Sequence, residues 1–482
     1  MPQVEDNPSP EDVEFAQAPE TVAPEPDMRP AVGRVDLTQG SLLRGIVLLS
    51  WPIVASAFLN WLMGVADIKM VGYLGPDAIA AVGTSRGAIF TLMAIIFALS
   101  TGTQVLVARY TGEGNRERVA NITRQALILS VIFGVILIPA GHLLSRPLLS
   151  ALGASSAVLD NGTVYMQVYF WGSIALMINF MLSSALNGAG DTLTPLIALI
   201  FINAAHVLLE WLLIFGVGPF PTLGVAGAAW AVVISRSVVA VVMLWIVSSG
   251  RFAIHMPLID GWHIDLPAWG KMFYIGVPSS IQGFTRNLAY LLLLGILNST
   301  PHATLAVAGY VMSGQIQMVG LMVGLALMSA AMTAVGQNMG AGDTARAERS
   351  CWTVVRISVA ASAILGAVFI VGARWLIGFF SSDANAIGWG VNCLIVLSAV
   401  LPFQTAAMAF SGALRGAGDT MSPLYASLLC SSILGPGLAY LLTIVLDLGP
   451  TGAWYGLAMA LVLQSFVIGW LFKRGKWKTI KL

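Results

Sequence analysis

Charge is scarce in this chain. Only 10% of its 482 residues are Asp, Glu, Lys or Arg, against 57% hydrophobic, whereas a soluble domain carries roughly 25% charged residues. That scarcity excludes a water-facing globular protein. Acids are rarer still in the body of the chain, since nine of the 23 fall before residue 40. Cysteine is nearly missing: Cys351, Cys393 and Cys430 are odd in number and sit in apolar runs, so they read as small packing residues, not a disulfide framework. No CxxC, His-x-x-x-His or carboxylate cluster suggests a metal centre, and no GxxxxGK[ST] motif suggests an ATP-driven pump. No nucleophile–base pair suggests an enzyme. A net charge of +1 without a basic or aromatic cluster gives no reason to expect nucleic acid, and no cofactor is expected.

What the chain has is apolar length. Stretches of about 20 residues, the length a bilayer span requires, recur from Leu43 to Phe472. They predict an all-α membrane protein with twelve transmembrane helices over 44–72, 79–108, 122–145, 160–186, 193–216, 223–247, 270–297, 304–335, 351–377, 387–413, 421–446 and 452–472. Residues 1–38 are acidic and Pro-rich and are expected to form a disordered cytoplasmic tail. They lack the basic stretch and apolar run of a secretory leader, so none is expected.

Arg and Lys in short loops set the orientation. Arg109, Arg116, Arg118 and Arg124 follow the second segment, Arg346, Arg349 and Arg356 follow the eighth, and Lys473, Arg474, Lys476, Lys478 and Lys481 close the chain. Both termini are therefore expected in the cytoplasm.

The chain also repeats itself. ALNGAGDTLTPL at 185–196 matches ALRGAGDTMSPL at 413–424, pairing Gly188 with Gly416, Asp191 with Asp419 and Pro195 with Pro423, always 228 apart. The same offset pairs Gly112 with Gly340, Gly114 with Gly342 and Arg146 with Arg374, and a slightly shorter one pairs Pro52 with Pro278. Two halves of six helices enter the membrane in the same sense. Parallel repeats of this kind are related by an axis along the membrane normal and usually enclose a cleft. The expected division is an N-lobe at 39–247, a linker at 248–269, a C-lobe at 270–472 and a basic tail at 473–482.

Over residues 40–472 these features resemble the multidrug and toxic compound extrusion (MATE) family. The resemblance rests on Pro52 with Asp67-x-x-x-Val71-Gly72, Gly112-x-Gly114, the NGAGDT and RGAGDT turns, Leu212-Leu-Ile-Phe-Gly216 and Gly224-Val-Ala-Gly-Ala-Ala. Membrane acids confined to the first half are most similar to the DNA-damage-inducible F-type branch. The resemblance implies a monomeric carrier of the bacterial inner membrane. It would export drug-like, often cationic and amphipathic compounds by alternating access, in exchange for protons or sodium ions.

Ionisable groups in hydrocarbon mark functional sites. Asp67 and Glu210 are the two membrane carboxylates, both in the first half. A carboxylate enclosed in a low-dielectric cavity can take a proton near neutral pH and release it when the cavity rehydrates; it can instead hold sodium or attract an organic cation. His206 lies four residues before Glu210, on the same helix face. The resemblance places Asn and Asp at these two positions, and a threonine near Val232. With those oxygens gone a sodium site at Asp67 and Glu210 is weakened, because hard cations want oxygen ligands, and protons are favoured. Asn203 could supply an amide oxygen. Lys69, two residues from Asp67, is expected to snorkel outward. Arg286, near Gln282, is expected either to pair with Asp67 or Glu210 across the lobes or to repel cationic cargo. Tyr165, Tyr169, Asn179, Arg286, Gln282 and Gln315, with Gln317, are candidates to line a substrate cavity, the alternative for the uncharged ones being ordinary interhelical hydrogen bonding. Asp191 and Asp419 are expected to cap helices.

Two other functions are weighed. A flippase for lipid-linked oligosaccharide would want several basic residues facing the cleft, and a non-transporting receptor or assembly protein would have no use for a buried acid in one lobe.

Overall fold

The computed structural model describes residues 35–92, 94–257 and 261–480. Most of the expected acidic tail, residues 1–34, lies outside them, as do 258–260 of the linker and the last two residues of the basic tail. The described chain is helical throughout: α1 (Leu42–Gly72), α2 (Pro76–Leu92), α3 (Ala94–Gly112), α4 (Arg116–Ala151), α5 (Ser156–Trp171), α6 (Ser173–Ala189), α7 (Leu193–Phe215), α8 (Val225–Ser248), α9 (Leu266–Asn298), α10 (Ala303–Gly340), α11 (Thr344–Val371), α12 (Ala373–Gly378), α13 (Ala384–Ala399), α14 (Leu401–Gly416), α15 (Met421–Ser427), α16 (Gly435–Tyr440) and α17 (Pro450–Lys473). It is an all-helical, multi-pass membrane fold. Among the described residues, eight spans are long and apolar enough to cross a bilayer, ten if each of two bent pairs is one span. The rest of the expected twelve falls on α2 with α3 and on α9. Their middles carry polar residues, Thr101, Thr103 and Gln104 in α3 and Gln282, Thr285, Arg286 and Asn287 in α9.

Two segments expected as continuous helices are bent. The α5–α6 pair turns by 56° at Gly172, and the α13–α14 pair by 48° at Val400. Pro402 lies at the start of α14, where its missing N–H and fixed φ favour a new helix over continuation of the old one. The expected 421–446 helix holds π-helical turns at Leu428–Leu434 and Leu441–Val445 on either side of α16, and Pro436 removes one helical donor between them.

Inside hydrocarbon every polar group needs a protein partner. Buried hydroxyls therefore bond to the carbonyl one turn back, as Ser50 does to Ile46 and Thr123 to Val119. The GAGDT turns cap helices as expected, and identically. Asp191 accepts from the Thr194 amide at 3.0 Å and its hydroxyl at 2.7 Å, while Asp419 accepts from the Ser422 amide at 3.0 Å and its hydroxyl at 2.6 Å. Gly190 and Gly418 precede them at φ +90° and +97°, a left-handed conformation that favours glycine.

The repeat survives in three dimensions as a reciprocal contact. A Cβ on Gly112 would overlap the Gln337 carbonyl, and a Cβ on Gly340 would overlap the Arg109 carbonyl; both pairs obey the same 228-residue offset. Only glycine lets α3 and α10 approach this closely. Around the crossing, Gln104 Nε2 donates to the Ser329 and Thr333 hydroxyls at 2.7 and 3.0 Å, and Gln337 Nε2 donates to the Gly188 carbonyl at 3.0 Å. The halves are sealed at the end that carries the Arg-rich loops.

Two boundaries differ from expectation. Residues 35–38, expected in the tail, are pinned at this seal: Val35 N donates to the Gly190 carbonyl, Arg346 and Asn338 donate to the Leu37 carbonyl, and Leu37 is fully buried. Burial of two apolar side chains, Val35 and Leu37, is the physical reason. The first helix of each half also begins in the other half's core. Ile46 and Leu49 of α1 pack with α10 residues such as Val335 and Ala334, while Met272 and Ile275 of α9 pack with the N-terminal core. Beyond Pro52 and Pro278 each helix runs 10 or more residues without a buried side chain before rejoining its own half.

Candidate functional site

Asp67 sits in the last third of α1 and is 8% exposed. Three neighbours enclose it. Arg86 of α2 forms an ion pair through Nη2 with Asp67 Oδ2, and Arg86 shares the cavity wall with Tyr165 of α5. His206 of α7 lies 3.0 Å from Asp67 Oδ1 through Nε2. The same nitrogen is 3.4 Å from Glu210 Oε2. It therefore serves Asp67 in the hydrogen bond and Glu210 only by charge. Glu210 is 1% exposed, and neither of its oxygens has a hydrogen-bond donor.

The Asp67, His206 and Glu210 ligand atoms lie within 4.8 Å of one another, close enough to share a cation. Arg86 and His206 occupy the two Asp67 oxygens, while both Glu210 oxygens are left free.

The cluster opens on a cavity of about 320 Å³ whose wall includes Asn60, Met63, Tyr165, Tyr169, Phe97, Phe180, Asn203, Val232 and Arg236. Four side chains named from sequence thus converge with Asp67: His206 and Asn203 one turn apart on α7, and Tyr165 and Tyr169 one turn apart on α5. Asn203 donates to the Leu59 carbonyl at 3.4 Å and so faces α1. The others are placed elsewhere. Asn179 donates to the Ala175 and Arg236 carbonyls at 2.9 and 2.8 Å, tying α6 to α8 outside the cavity wall. Gln315 is exposed on α10, and Gln317 bonds to Ser398 at 3.1 Å inside the second half. Lys69 is exposed, as expected of a snorkelling lysine. Arg286 pairs with neither Asp67 nor Glu210: Asp67 is satisfied within its own half by Arg86, and Arg286 stands one turn from Gln282, which accepts from Arg415. The three cysteines are free and buried.

Sequence reasoning missed Arg86 and Arg236. Each is an arginine inside an apolar span, a signal as strong as a membrane acid, but only the fold reveals that Arg86 neutralises Asp67.

Comparison with known proteins follows the same lines. A family model described as MatE matches residues 52–212 and 278–441, more than half of the chain. The probable multidrug resistance protein NorM of Thermotoga maritima is 26% identical over 441 residues, 90% of this chain and 92% of its own. The FAD transporter of Shewanella oneidensis is 26% identical over 416 residues, 84% and 87% of the two chains. Among solved structures, an outward-facing multidrug resistance MATE family transporter of the MOP superfamily shares the fold with a TM-score of 0.85 at 23% identity, over 93% of this chain and 99% of that one.

Proposed function

Because this chain belongs to the MatE family, a family of transporters and not of enzymes, we propose that it is a secondary antiporter of the bacterial inner membrane, exporting organic compounds in exchange for protons. The observation that carries the reading is the enclosed Asp67–His206–Glu210–Arg86 cluster at the wall of a cavity. Its charges can be counted. Arg86 and Asp67 balance. Glu210 is buried without a donor, and an ionised carboxylate there costs several kcal/mol, so the resting cluster holds one proton between Glu210 and His206. Losing that proton leaves one uncompensated negative charge facing the cavity, which an organic cation would neutralise. Proton and cargo then compete, and competition of this kind is exchange.

The seal around Gly112 and Gly340 lies beside the Arg-rich loops, which the charge rule assigns to the cytoplasm with both termini. On that assignment the cavity faces outward, the state in which cargo leaves and a proton arrives. An inward proton gains about 2.3 kcal/mol per 100 mV, enough to drive accumulation outside.

The direct test is ethidium transport in everted vesicles under an imposed gradient. A pH gradient alone is expected to drive uptake; uptake that follows a sodium gradient at constant pH would overturn the proton assignment. In the same assay Arg86→Gln is expected to slow transport about ten-fold or more, the effect of losing about 1.4 kcal/mol of ion pairing. Arg86→Lys should recover part of the rate, since it keeps the charge but not the planar fork. Equal rates for all three proteins would remove Arg86 from the mechanism.

A further inference from the structure

The second half contains a charge imbalance that the proton cluster does not use. Arg415 of α14 is 7% exposed, and its recorded acceptors, Gln282 Oε1 and Met328 Sδ, are both neutral. Arg286 of α9 is near enough for its charge to act on Arg415, and among the described residues it has no carboxylate partner. None of the six acids after residue 260 is available to either. Asp265, Asp343, Asp383 and Asp419 hold helix starts, Glu348 pairs with Lys478, and Asp447 lies in the loop before α17. Guanidinium groups within membrane segments are costly to keep without a carboxylate partner.

Arg286 shares its helix face with buried residues. Gln282, Arg286, Ala289 and Leu293 are spaced 4, 3 and 4 apart, which places them on one helix face; Ala289 and Leu293 are buried, and Gln282 reaches Arg415. Arg286 itself is exposed, so its guanidinium is open to a ligand. The repeat agrees. The offset that pairs Pro52 with Pro278 pairs Asn60 with Arg286, and Asn60 lines the first half's cavity. One turn beyond Arg286, Tyr290 stacks on Tyr310 at 5.7 Å, and Tyr310 stacks on Trp454 at 5.5 Å. Tyr290 remains 40% exposed at the open end of that stack.

We propose that Arg286 and Arg415, with Tyr290 as an aromatic platform, form a recognition site in the second half for the anionic group of an aromatic, amphipathic cargo. The shared chemistry is a carboxylate, sulfonate or phosphate accepting from paired guanidinium groups while its apolar body rests on the tyrosine. The inference rests on the export reading for the word cargo, but the binding site stands or falls alone.

The test is equilibrium binding to the purified protein in nanodiscs, read by fluorescence anisotropy and requiring no gradient. Fluorescein and rhodamine 123 serve as probes, sharing a xanthene skeleton and differing in charge. Saturable fluorescein binding is expected, with Arg286→Gln and Arg415→Gln each weakening it about ten-fold or more and leaving rhodamine 123 binding unchanged or tighter. Arg286→Gln is the decisive variant because Arg286 is accessible, whereas loss of the buried Arg415 can also impair folding. Absent fluorescein binding, binding indifferent to Arg286→Gln, or equal weakening of both dyes would overturn the proposal. Nanodiscs of phosphatidylcholine and of phosphatidylglycerol separate the two sources of anion. Equal fluorescein affinity in both supports a soluble cargo; displacement by phosphatidylglycerol assigns the arginines to a lipid headgroup and overturns the cargo assignment. Vesicles that transport nothing under any gradient, with fluorescein binding intact, would fail the export reading and leave this site in place.

Discussion

Asp67→Asn is expected to reduce gradient-driven ethidium transport to the level of vesicles lacking the protein. The substitution keeps the shape and removes the charge, and that charge has two partners to lose. Arg86 would be left beside a neutral amide, and His206 would lose the acceptor that holds its ring against α1. Removing one member of a buried ion pair costs about 3–5 kcal/mol. Here the Arg86 side chain is about a third exposed, and water in the cavity screens the orphaned charge, so the cost is nearer about 1–2 kcal/mol. The protein should therefore still fold, and the loss should be functional. Thermal unfolding in detergent, measured beside transport, separates the two. A well-folded Asp67→Asn protein that transports at the wild-type rate would sink the coupling assignment. Glu210→Gln offers an internal contrast. It removes an acid that has no hydrogen-bond donor, so it should disturb stability least while still abolishing the exchangeable proton.

Gly112→Leu is expected to be the most damaging single change outside the cluster. Its Cβ would occupy the place of the Gln337 backbone carbonyl, and a backbone cannot rotate aside as a side chain can. Overpacking typically costs about 1–3 kcal/mol, and here the strain falls on the crossing that seals the two halves. The hydrogen bonds of Gln104 to Ser329 and Thr333 lie further along the same α3–α10 interface, so pushing the helices apart should break them too. The measurement is thiol labelling of a cysteine introduced at Thr333, which is 1% exposed in the sealed state. Labelling should rise sharply in Gly112→Leu, with transport lost. Unchanged labelling would mean that the seam tolerates a side chain and that the reciprocal glycine contact is incidental.

The architecture was legible because its signals are local or periodic. Apolar length gave the spans, the 228-residue offset gave two related halves, and rarity singled out Asp67, His206 and Glu210 as the groups that hydrocarbon would not tolerate without a purpose. Three features were hidden for a shared reason. In a membrane protein a side chain facing lipid is as apolar as one facing the core, so hydropathy cannot report which helix touches which. It could not show that Arg86 comes to rest on Asp67, that Asn179 holds α6 to α8 instead of lining the cavity, or that Arg286 lies with Arg415. The bend at Gly172 was hidden differently. Glycine and a following serine are common inside membrane helices, and only the packing against Val233 selects the break. The ordering of residues 35–38 was missed because two apolar residues weigh little in a window dominated by acids and prolines.

The exchanged beginnings of α1 and α9 carry a further consequence. Each six-helix half lends the root of its leading helix to its neighbour and borrows a root in return, so neither has a complete floor on its own. Ile46 and Leu49 would lie bare in a severed first half, and Met272 and Ile275 in a severed second. Internal duplication has thus produced a pair of matching pieces that are no longer separable modules, and any rocking between them must be absorbed along the lengths of those two helices that bury no side chain, one of which leads to Asp67.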